Sequence, residues 1–189
     1  MHIMQKIYHF LYNVFMKNII IYKTNTGFTK EYAEMLARRI DGEVIPVNKL
    51  KTKTLKEADN IFYGGPLRNN VILGINKFLK KYNVYKDKNI FIFAVGIQPE
   101  DSEKRENVIA ANGLDLYHVR LYFLLGGMDL NRMSKIKRFF IAQGMKMASR
   151  QQGISEDLIK SRLENPINMV NSSNLDKMVD VYRKVIVRK

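Results

Sequence analysis

The sequence predicts an α/β fold in which one open, mostly parallel sheet lies between two layers of helices. Short apolar runs alternate with amphipathic helical patterns along the chain from residue 16 onward. The run at 89–95 is apolar on both faces, which is typical of a central strand in a parallel sheet. Alternating strands and helices favour right-handed crossovers and therefore a doubly wound sheet. The length of 189 residues suits a single domain with a sizeable core.

Five strands are predicted from short runs rich in β-branched and aromatic residues that are bounded by Gly, Pro or Asn. The second run stops near Pro46, and Gly65-Pro66 is expected to break the third run into a loop. The predicted strands cover residues 18–22, 43–47, 60–64, 89–95 and 119–125.

The helices are predicted from apolar residues that recur at helical spacing. In the first helix they form one face, and Gly42 is the expected C-cap. Asp101 is expected to cap the third helix, and the last helix points Leu175, Met178 and Tyr182 inward. The predicted helices cover residues 30–40, 72–82, 101–112 and 175–187, with a polar connection at 50–58.

Composition excludes several classes of site. The chain has no cysteine, so disulfides, thiolate metal sites and cysteine nucleophiles are absent, in keeping with a reducing cytosol. No Ser/His/Asp set, paired-carboxylate site or metal-ligand spacing stands out, so no catalytic residue is assigned and no metal is expected. His118, before the fifth strand, is interpreted as structural. The formal net charge of +14 favours anionic partners, although a lysine-rich solvated surface explains it equally well.

Two segments lie outside the minimal sheet. Residues 1–15 precede the first strand and are interpreted as an extension outside the domain at 16–189, either a start-site extension that is not native or a loosely attached segment, with a short amphipathic surface segment as the further alternative. About fifty residues, 126–172, form an insertion near the fifth strand, and 131–150 are expected to be one amphipathic helix. Basic side chains fall along one side of that helix, where they can meet an anionic membrane or partner. These residues are Arg132, Lys135, Arg138, Lys146 and Arg150. The alternative is that the helix packs its apolar face on its own domain and presents these charges to water.

The loop between the first strand and the first helix has the composition of a phosphate pocket. Backbone N–H groups at a helix N-terminus point outward unpaired, and the helix dipole favours an anion there. Hydroxyls at Thr24, Thr26 and Thr29 add donors, while Gly27 allows the backbone to approach closely. No lysine of the P-loop type follows the glycine, so a phosphate monoester fits better than a nucleoside triphosphate. The alternative is an ordinary loop with Thr29 as N-cap.

In a doubly wound sheet, ligands bind beyond the carboxyl ends of the strands. The segments 65–70 and 96–101 follow the third and fourth strands, so both are expected to converge with 24–29.

The loop Thr24-Asn25-Thr26-Gly27-Phe28-Thr29 resembles the T-x-T-G-x-T loop of flavodoxins, which holds the phosphate of FMN. The resemblance implies a flavodoxin-like fold with sheet order 2-1-3-4-5 and FMN as cofactor. The insertion and several later residues are similar to the menaquinone-dependent protoporphyrinogen dehydrogenase family. Those residues are Gly64, Leu67-Arg68, Pro99-Glu100, Glu103-Lys104-Arg105, Gly126-Gly127 and Met145-Lys146-Met147.

This resemblance implies an FMN-dependent oxidoreductase that passes electrons from protoporphyrinogen or a similar substrate to a quinone or redox partner. The chain departs from classical flavodoxins in its basic charge and in lacking an aromatic residue in the segments 65–70 and 96–101. Arg68 is then positioned to stabilise reduced flavin or to pair with a substrate carboxylate, the alternative being an ordinary surface arginine. The implied cofactor contacts come from Thr24, Asn25, Thr26, Gly27, Phe28, Thr29, Gly65, Pro66, Leu67, Arg68, Asn69, Gly96, Ile97 and Gln98.

Two alternatives stay open from the sequence. One is a non-enzymatic electron carrier of the flavodoxin type. The other is a flavin-free basic protein that binds nucleic acid or a membrane surface, although no specific nucleic-acid motif is present. The expected location is the cytoplasm, with or without peripheral attachment to the membrane, and the sequence does not fix the oligomeric state.

Overall fold

The computed structural model describes residues 16–132 and 165–187, together with the separate positions 135, 136, 139, 143, 147 and 161. Its main sheet contains five parallel strands in the order β2-β1-β3-β5-β6, so the predicted order is confirmed. A short strand, β4, pairs antiparallel with the end of β3. The strands are β1 (Asn18–Tyr22), β2 (Gly42–Pro46), β3 (Asn60–Arg68), β4 (Val71–Ile72), β5 (Asn89–Gly96) and β6 (Arg120–Leu125).

Helices cover both faces of this sheet, as a doubly wound fold requires. Side chains alternate along each strand, so neighbouring residues Phe62 and Tyr63 enter different apolar layers. The layer that contains Phe62 is completed by α1 and α5, and the layer that contains Tyr63 by α3 and α4. The described helices are α1 (Phe28–Ile40), α2 (Thr52–Glu57), α3 (Ile75–Leu79), α4 (Ser102–Asn112) and α5 (Asp176–Val187).

The prediction of the last helix is confirmed, since α5 buries Met178 and Tyr182 and Leu175 packs just before it. Asp101 caps α4 as predicted, because its carboxylate accepts the N–H of Lys104 at 2.7 Å. The helix predicted at 72–82 is shortened to α3, since Ile72 belongs to β4.

The predicted start of α1 and its predicted C-cap were wrong. Helix α1 begins at Phe28 with Gly27 as N-cap, so Thr29 lies inside the first turn. The same helix ends at Ile40 as predicted, but its C-cap is Asp41, which takes the left-handed conformation at φ 51°, and Gly42 instead starts β2. An aspartate tolerates this conformation better than most residues. Asp41 can therefore cap the helix, and Gly42 lies in the strand.

The predicted break at Gly65-Pro66 was also wrong, because β3 continues to Arg68. Gly65 and Pro66 pair with Ala94 and Val95 of β5. Strand β1 ends opposite Gly64, so Pro66 lies where β3 has lost that neighbour and a missing N–H is tolerated.

Beyond β6, the strand β7 (Gly127–Met128) pairs antiparallel with β8 (Ile167–Asn168), and Leu130–Arg132 forms a 3-10 turn. Of the helix predicted at 131–150, positions 135, 136, 139, 143 and 147 are helical. Arg138, Lys146 and Arg150 lie outside the described residues, as does the extension 1–15. Within the described ranges, no helix combines the length and the apolar character needed to span a membrane.

Candidate functional site

The carboxyl ends of β1, β3 and β5 lie at one edge of the sheet. The last residue of β1, Tyr22, pairs with Gly64, and the N–H of Lys23 donates to the carbonyl oxygen of Gly64 at 2.9 Å. On the other side, a Cβ built on Gly96 would lie 3.7 Å from the Cβ of Leu67. The structure therefore brings together the segments 24–29, 65–70 and 96–101, as the sequence predicted.

The loop after β1 is shaped by its own residues. The side-chain oxygen of Thr24 accepts the N–H of Gly27 at 3.0 Å, which closes a turn before α1. Gly27 then takes φ 94° and ψ −28°, a left-handed conformation that L-residues adopt only with strain. The N–H of Glu31 donates to the carbonyl oxygen of Gly27 at 3.0 Å and begins the helix. Thr24 thus uses its oxygen to hold the loop and keeps only its hydroxyl proton for a ligand.

Several donors at this end of α1 are uncommitted. Across the described part of the chain, no acceptor takes the backbone N–H of Thr26, Phe28 or Thr29. The Thr29 side chain is 2% exposed, and its hydroxyl has no hydrogen-bond partner among the described residues. That hydroxyl still reaches solvent, since no fully buried side-chain N or O atom there lacks a partner. Unpaired donors combined with the positive end of the helix dipole suit a phosphate monoester.

The segment that follows β6 packs on this loop. Phe28 is 2% exposed, and a Cβ built on Gly127 would lie only 2.6 Å from its ring. A glycine at 127 is therefore required for the close approach. The Tyr32 hydroxyl donates to the carbonyl oxygen of Leu125 and accepts the side-chain N–H of Asn174 at 2.6 Å. The N-terminal half of α1 is thereby joined to the chain on both sides of the insertion.

Arg132 lies against the phosphate loop, a placement that the sequence did not predict. Its guanidinium carbon is 4.5 Å from the centroid of the Phe28 ring, and its Nη1 pairs with the Glu31 carboxylate. Its Nε lies 3.3 Å from a carboxylate oxygen of Asp129. The sequence instead predicts Arg132 on a basic surface that meets an anionic partner. The Asp129/Arg132 spacing was a visible local signal, but the contact with Glu31, 101 residues away, was not.

A tight hairpin forms the second side of the site. Strands β3 and β4 are joined through Asn69 and Asn70, which have φ 48° and φ 63°. Two consecutive positive φ angles match the two-residue hairpin turn that Asn and Gly favour. Arg68 and Asn69 are exposed at this tip, while Leu67 is half-buried. Gly65 is buried inside the sheet, so its predicted contact with a cofactor can come only through its backbone.

The exit of β5 forms the third side. Ile97 is 43% exposed, and Gln98 presents its carbonyl oxygen to the Lys104 ammonium at 2.9 Å. The carboxylate of Glu100 pairs with Arg105 at 2.7 Å. The two acidic groups of this segment, Glu100 and Asp101, are thus both engaged.

The predicted cofactor contacts and the interpretation of His118 have different outcomes in the structure. The geometry assembles the predicted site residues along one edge, but their contacts with a cofactor stay predictions. His118 is exposed just before β6, at the opposite end of the sheet from the site, which agrees with its structural interpretation. Its backbone N–H donates to the Tyr82 hydroxyl at 3.1 Å.

Comparison with known proteins identifies the type of domain. The family model described as a flavodoxin domain matches residues 19–155. A solved flavodoxin from the domain Archaea is 23% identical, with 58% of this chain and 83% of that chain covered and a TM-score of 0.43. The WrbA-like flavodoxin of Agrobacterium tumefaciens is 14% identical over 65% of this chain and 88% of that chain, with a TM-score of 0.47.

A third solved structure, the two-electron reduced flavodoxin of Megasphaera elsdenii, is 12% identical. It covers 62% of this chain and 88% of that chain, with a TM-score of 0.42. No curated protein sequence matches this chain.

Proposed function

Because the chain belongs to the flavodoxin domain family, we propose that it is an FMN-dependent oxidoreductase of the protoporphyrinogen dehydrogenase type. It takes electrons from a reduced substrate and passes them to a quinone or a redox partner. The observation that carries the proposal is the loop 24–29, where Gly27 caps α1 and leaves backbone donors free at the carboxyl end of the sheet. FMN is the cofactor that a flavodoxin domain binds.

The residues present fit the phosphate of FMN. The N–H groups of Thr26, Phe28 and Thr29 and the Thr29 hydroxyl supply donors to an oxyanion, and the α1 dipole adds positive potential. Thr24 holds the loop in shape rather than contacting the phosphate through its oxygen. FMN supplies the one- and two-electron chemistry of its isoalloxazine ring, and the protein positions that ring.

The ring is expected between the β3–β4 hairpin and the exit of β5. The side chains there are aliphatic or polar, with Val71 38% exposed and Ile97 43% exposed. Neither segment contributes an aromatic side chain that could cover the ring, which supports access for a bulky substrate. Arg68 at the hairpin tip offers a cation to a substrate carboxylate.

The surface charge supports an anionic docking partner for the electron-transfer step. The chain carries a formal net charge of +14. At two described helical positions of the insertion, Ile136 and Met147 are 71% and 67% exposed, and Lys135, which directly precedes Ile136, is exposed as well. Apolar side chains beside basic ones suit contact with an anionic membrane that holds the quinone.

An activity assay on the FMN-loaded protein tests this function. We expect oxidation of protoporphyrinogen that depends on an added quinone. Arg68→Gln should raise KM for the substrate with little change in kcat, because the pairing is made equally in the ground and transition states. Arg38→Gln, which removes the same charge from an exposed position on α1, is the matched control. If protein that carries stoichiometric FMN does not oxidise protoporphyrinogen, the substrate assignment is contradicted.

An electron carrier of the flavodoxin type is the second candidate, and one observation favours it. The three segments of the site contain no histidine, and both of their carboxylates are engaged. An electron carrier needs no proton-transferring group, whereas a dehydrogenase commonly uses one. Reduced protein that passes electrons to a quinone, but oxidises no substrate itself, would identify the carrier.

A further inference from the structure

The phosphate loop contains no cationic side chain between Thr24 and Thr29, yet a cation from another part of the chain lies over it. Arg132 is carried there by the 3-10 turn after β7. A Cβ built on Gly27 would lie 3.7 Å from Nη1 of Arg132, so the guanidinium is within van der Waals reach of the residue that caps α1. The ring of Phe28, at the first helical position, lies beneath the same guanidinium.

The guanidinium of Arg132 has more N–H donors than its two carboxylate contacts use. Of its five N–H groups, those on Nη1 and Nε face the carboxylates of Glu31 and Asp129. In the described part of the chain no acceptor takes the donors on Nη2. The side chain is 36% exposed, so a ligand at the loop can reach it. Arg is also the side chain whose planar fork best matches a phosphate.

We infer that Arg132 is a further ligand of the FMN phosphate, reached by its Nη2 donors, while Nη1 and Nε face the carboxylates of Glu31 and Asp129, which compete with the phosphate for the guanidinium charge. This inference rests on the proposed function. It assigns the phosphate two sources of positive potential, the N-terminus of α1 and a side chain from the insertion. Binding of the flavin phosphate is thereby coupled to docking of the segment after β7.

A purely structural role is the competing explanation. In that case the pair between Arg132 and Glu31 only ties the insertion to α1. Removal of Arg132 and removal of Glu31 should then destabilise the loop to the same degree. A phosphate ligand behaves differently, since its effect appears with FMN and not with riboflavin, which lacks the phosphate. Its effect also fades at high salt, because ions screen an exposed charge.

The test measures FMN and riboflavin affinity by quenching of flavin fluorescence in the wild-type protein and in Arg132→Gln, Arg132→Lys and Arg38→Gln. We expect Arg132→Gln to bind FMN about tenfold more weakly, the value of one charge-assisted hydrogen bond. Arg132→Lys should retain much of the affinity, and Arg38→Gln should match the wild type within about twofold. Riboflavin affinity should be unchanged throughout, and the FMN effect should shrink at about 1 M salt.

Unchanged FMN affinity in Arg132→Gln, or an equal loss for riboflavin, would overturn the inference while leaving the FMN site intact. Failure of the wild-type protein to bind FMN would overturn the proposed function as well. Glu31→Gln provides a test that does not depend on folding of an Arg132 variant. It should tighten FMN binding about two- to threefold by removing a competing carboxylate. Weaker FMN binding in Glu31→Gln would identify the pair as a structural latch only.

Discussion

The side-chain oxygen of Asn112 accepts the backbone N–H of Ile72 at 2.9 Å, so the end of α4 holds the hairpin beside the candidate flavin site. The amide nitrogen of the same side chain donates to the carbonyl oxygen of Asn70 at 2.8 Å and to that of Val108 at 2.7 Å. Asn112 is 8% exposed, so these groups have little water to replace their partners. One buried amide therefore fixes the position of the tip that carries Arg68.

Replacement of Asn112 by alanine should release that hairpin. The N–H of Ile72 would lose its partner in a buried setting, so we expect the free energy of unfolding to fall by about 2–3 kcal/mol. Urea denaturation measures this change, and hydrogen exchange should show faster exchange at Ile72. Asn76→Ala, at an exposed position in α3, is the control and should change stability by less than about 0.5 kcal/mol. Equal effects of the two variants would show that Asn112 does not hold the hairpin.

Gly27→Ala should strain the phosphate loop. A Cβ has space at this position, but φ 94° is unfavourable for alanine, so a loss of about 1–2 kcal/mol in unfolding free energy is expected. FMN affinity should fall with it, because the loop donors move. For the stability measurement alone, Gly96→Ala is the matched control, since its Cβ would make an ordinary 3.7 Å contact with Leu67 and its φ is not positive. Calorimetry that finds both variants equally stable would contradict the left-handed conformation at Gly27.

Alkaline pH should destabilise the protein through buried tyrosines. Burial raises the pKa of Tyr85 well above the usual value of about 10, and the same cause raises the pKa of Tyr63. Because the folded-state pKa is the higher one, this contribution is fully present below about pH 10 and is lost as pH rises above it. The Tyr85 hydroxyl also donates to the carbonyl oxygen of Phe78 at 2.8 Å.

Tyr85→Phe should therefore cost about 1 kcal/mol at neutral pH and flatten the loss of stability above pH 10. Unfolding free energies measured in urea at about pH 8 and about pH 11 check both effects. A variant that loses stability as steeply as the wild type over this interval would show that Tyr85 does not contribute to the alkaline transition.

The strands and the position of the phosphate loop could be predicted from the sequence because both depend on local patterns, whereas the sheet order was implied by the resemblance to flavodoxins. Each parallel strand is a short apolar run, and the hydroxyl and glycine residues of the loop follow the first run directly. The sequence showed a glycine in this loop. It did not show that Gly27 is the N-cap of α1 rather than a residue inside the loop.

The rest depended on contacts between distant residues. The continuation of β3 past Pro66 requires that β1 ends opposite Gly64 and that Asn112, from α4, holds the returning strand. The place of Arg132 depends on the close packing of Gly127 on Phe28. No periodicity or motif encodes such approaches, because they are decided by packing after the sheet has formed.

The central claim is tested most directly by FMN and riboflavin titrations of the wild-type protein and of the Thr26→Ala/Thr29→Ala double variant. We predict that the wild type binds FMN in a one-to-one complex and more tightly than riboflavin. The double variant should lose about tenfold or more in FMN affinity with riboflavin affinity unchanged. Thr52→Ala/Thr54→Ala, which removes two hydroxyls from α2, is the matched control and should behave as the wild type. Equal affinity of the wild type for FMN and riboflavin, or no binding of either, would contradict the assignment of the loop at Thr24–Thr29 to the flavin phosphate.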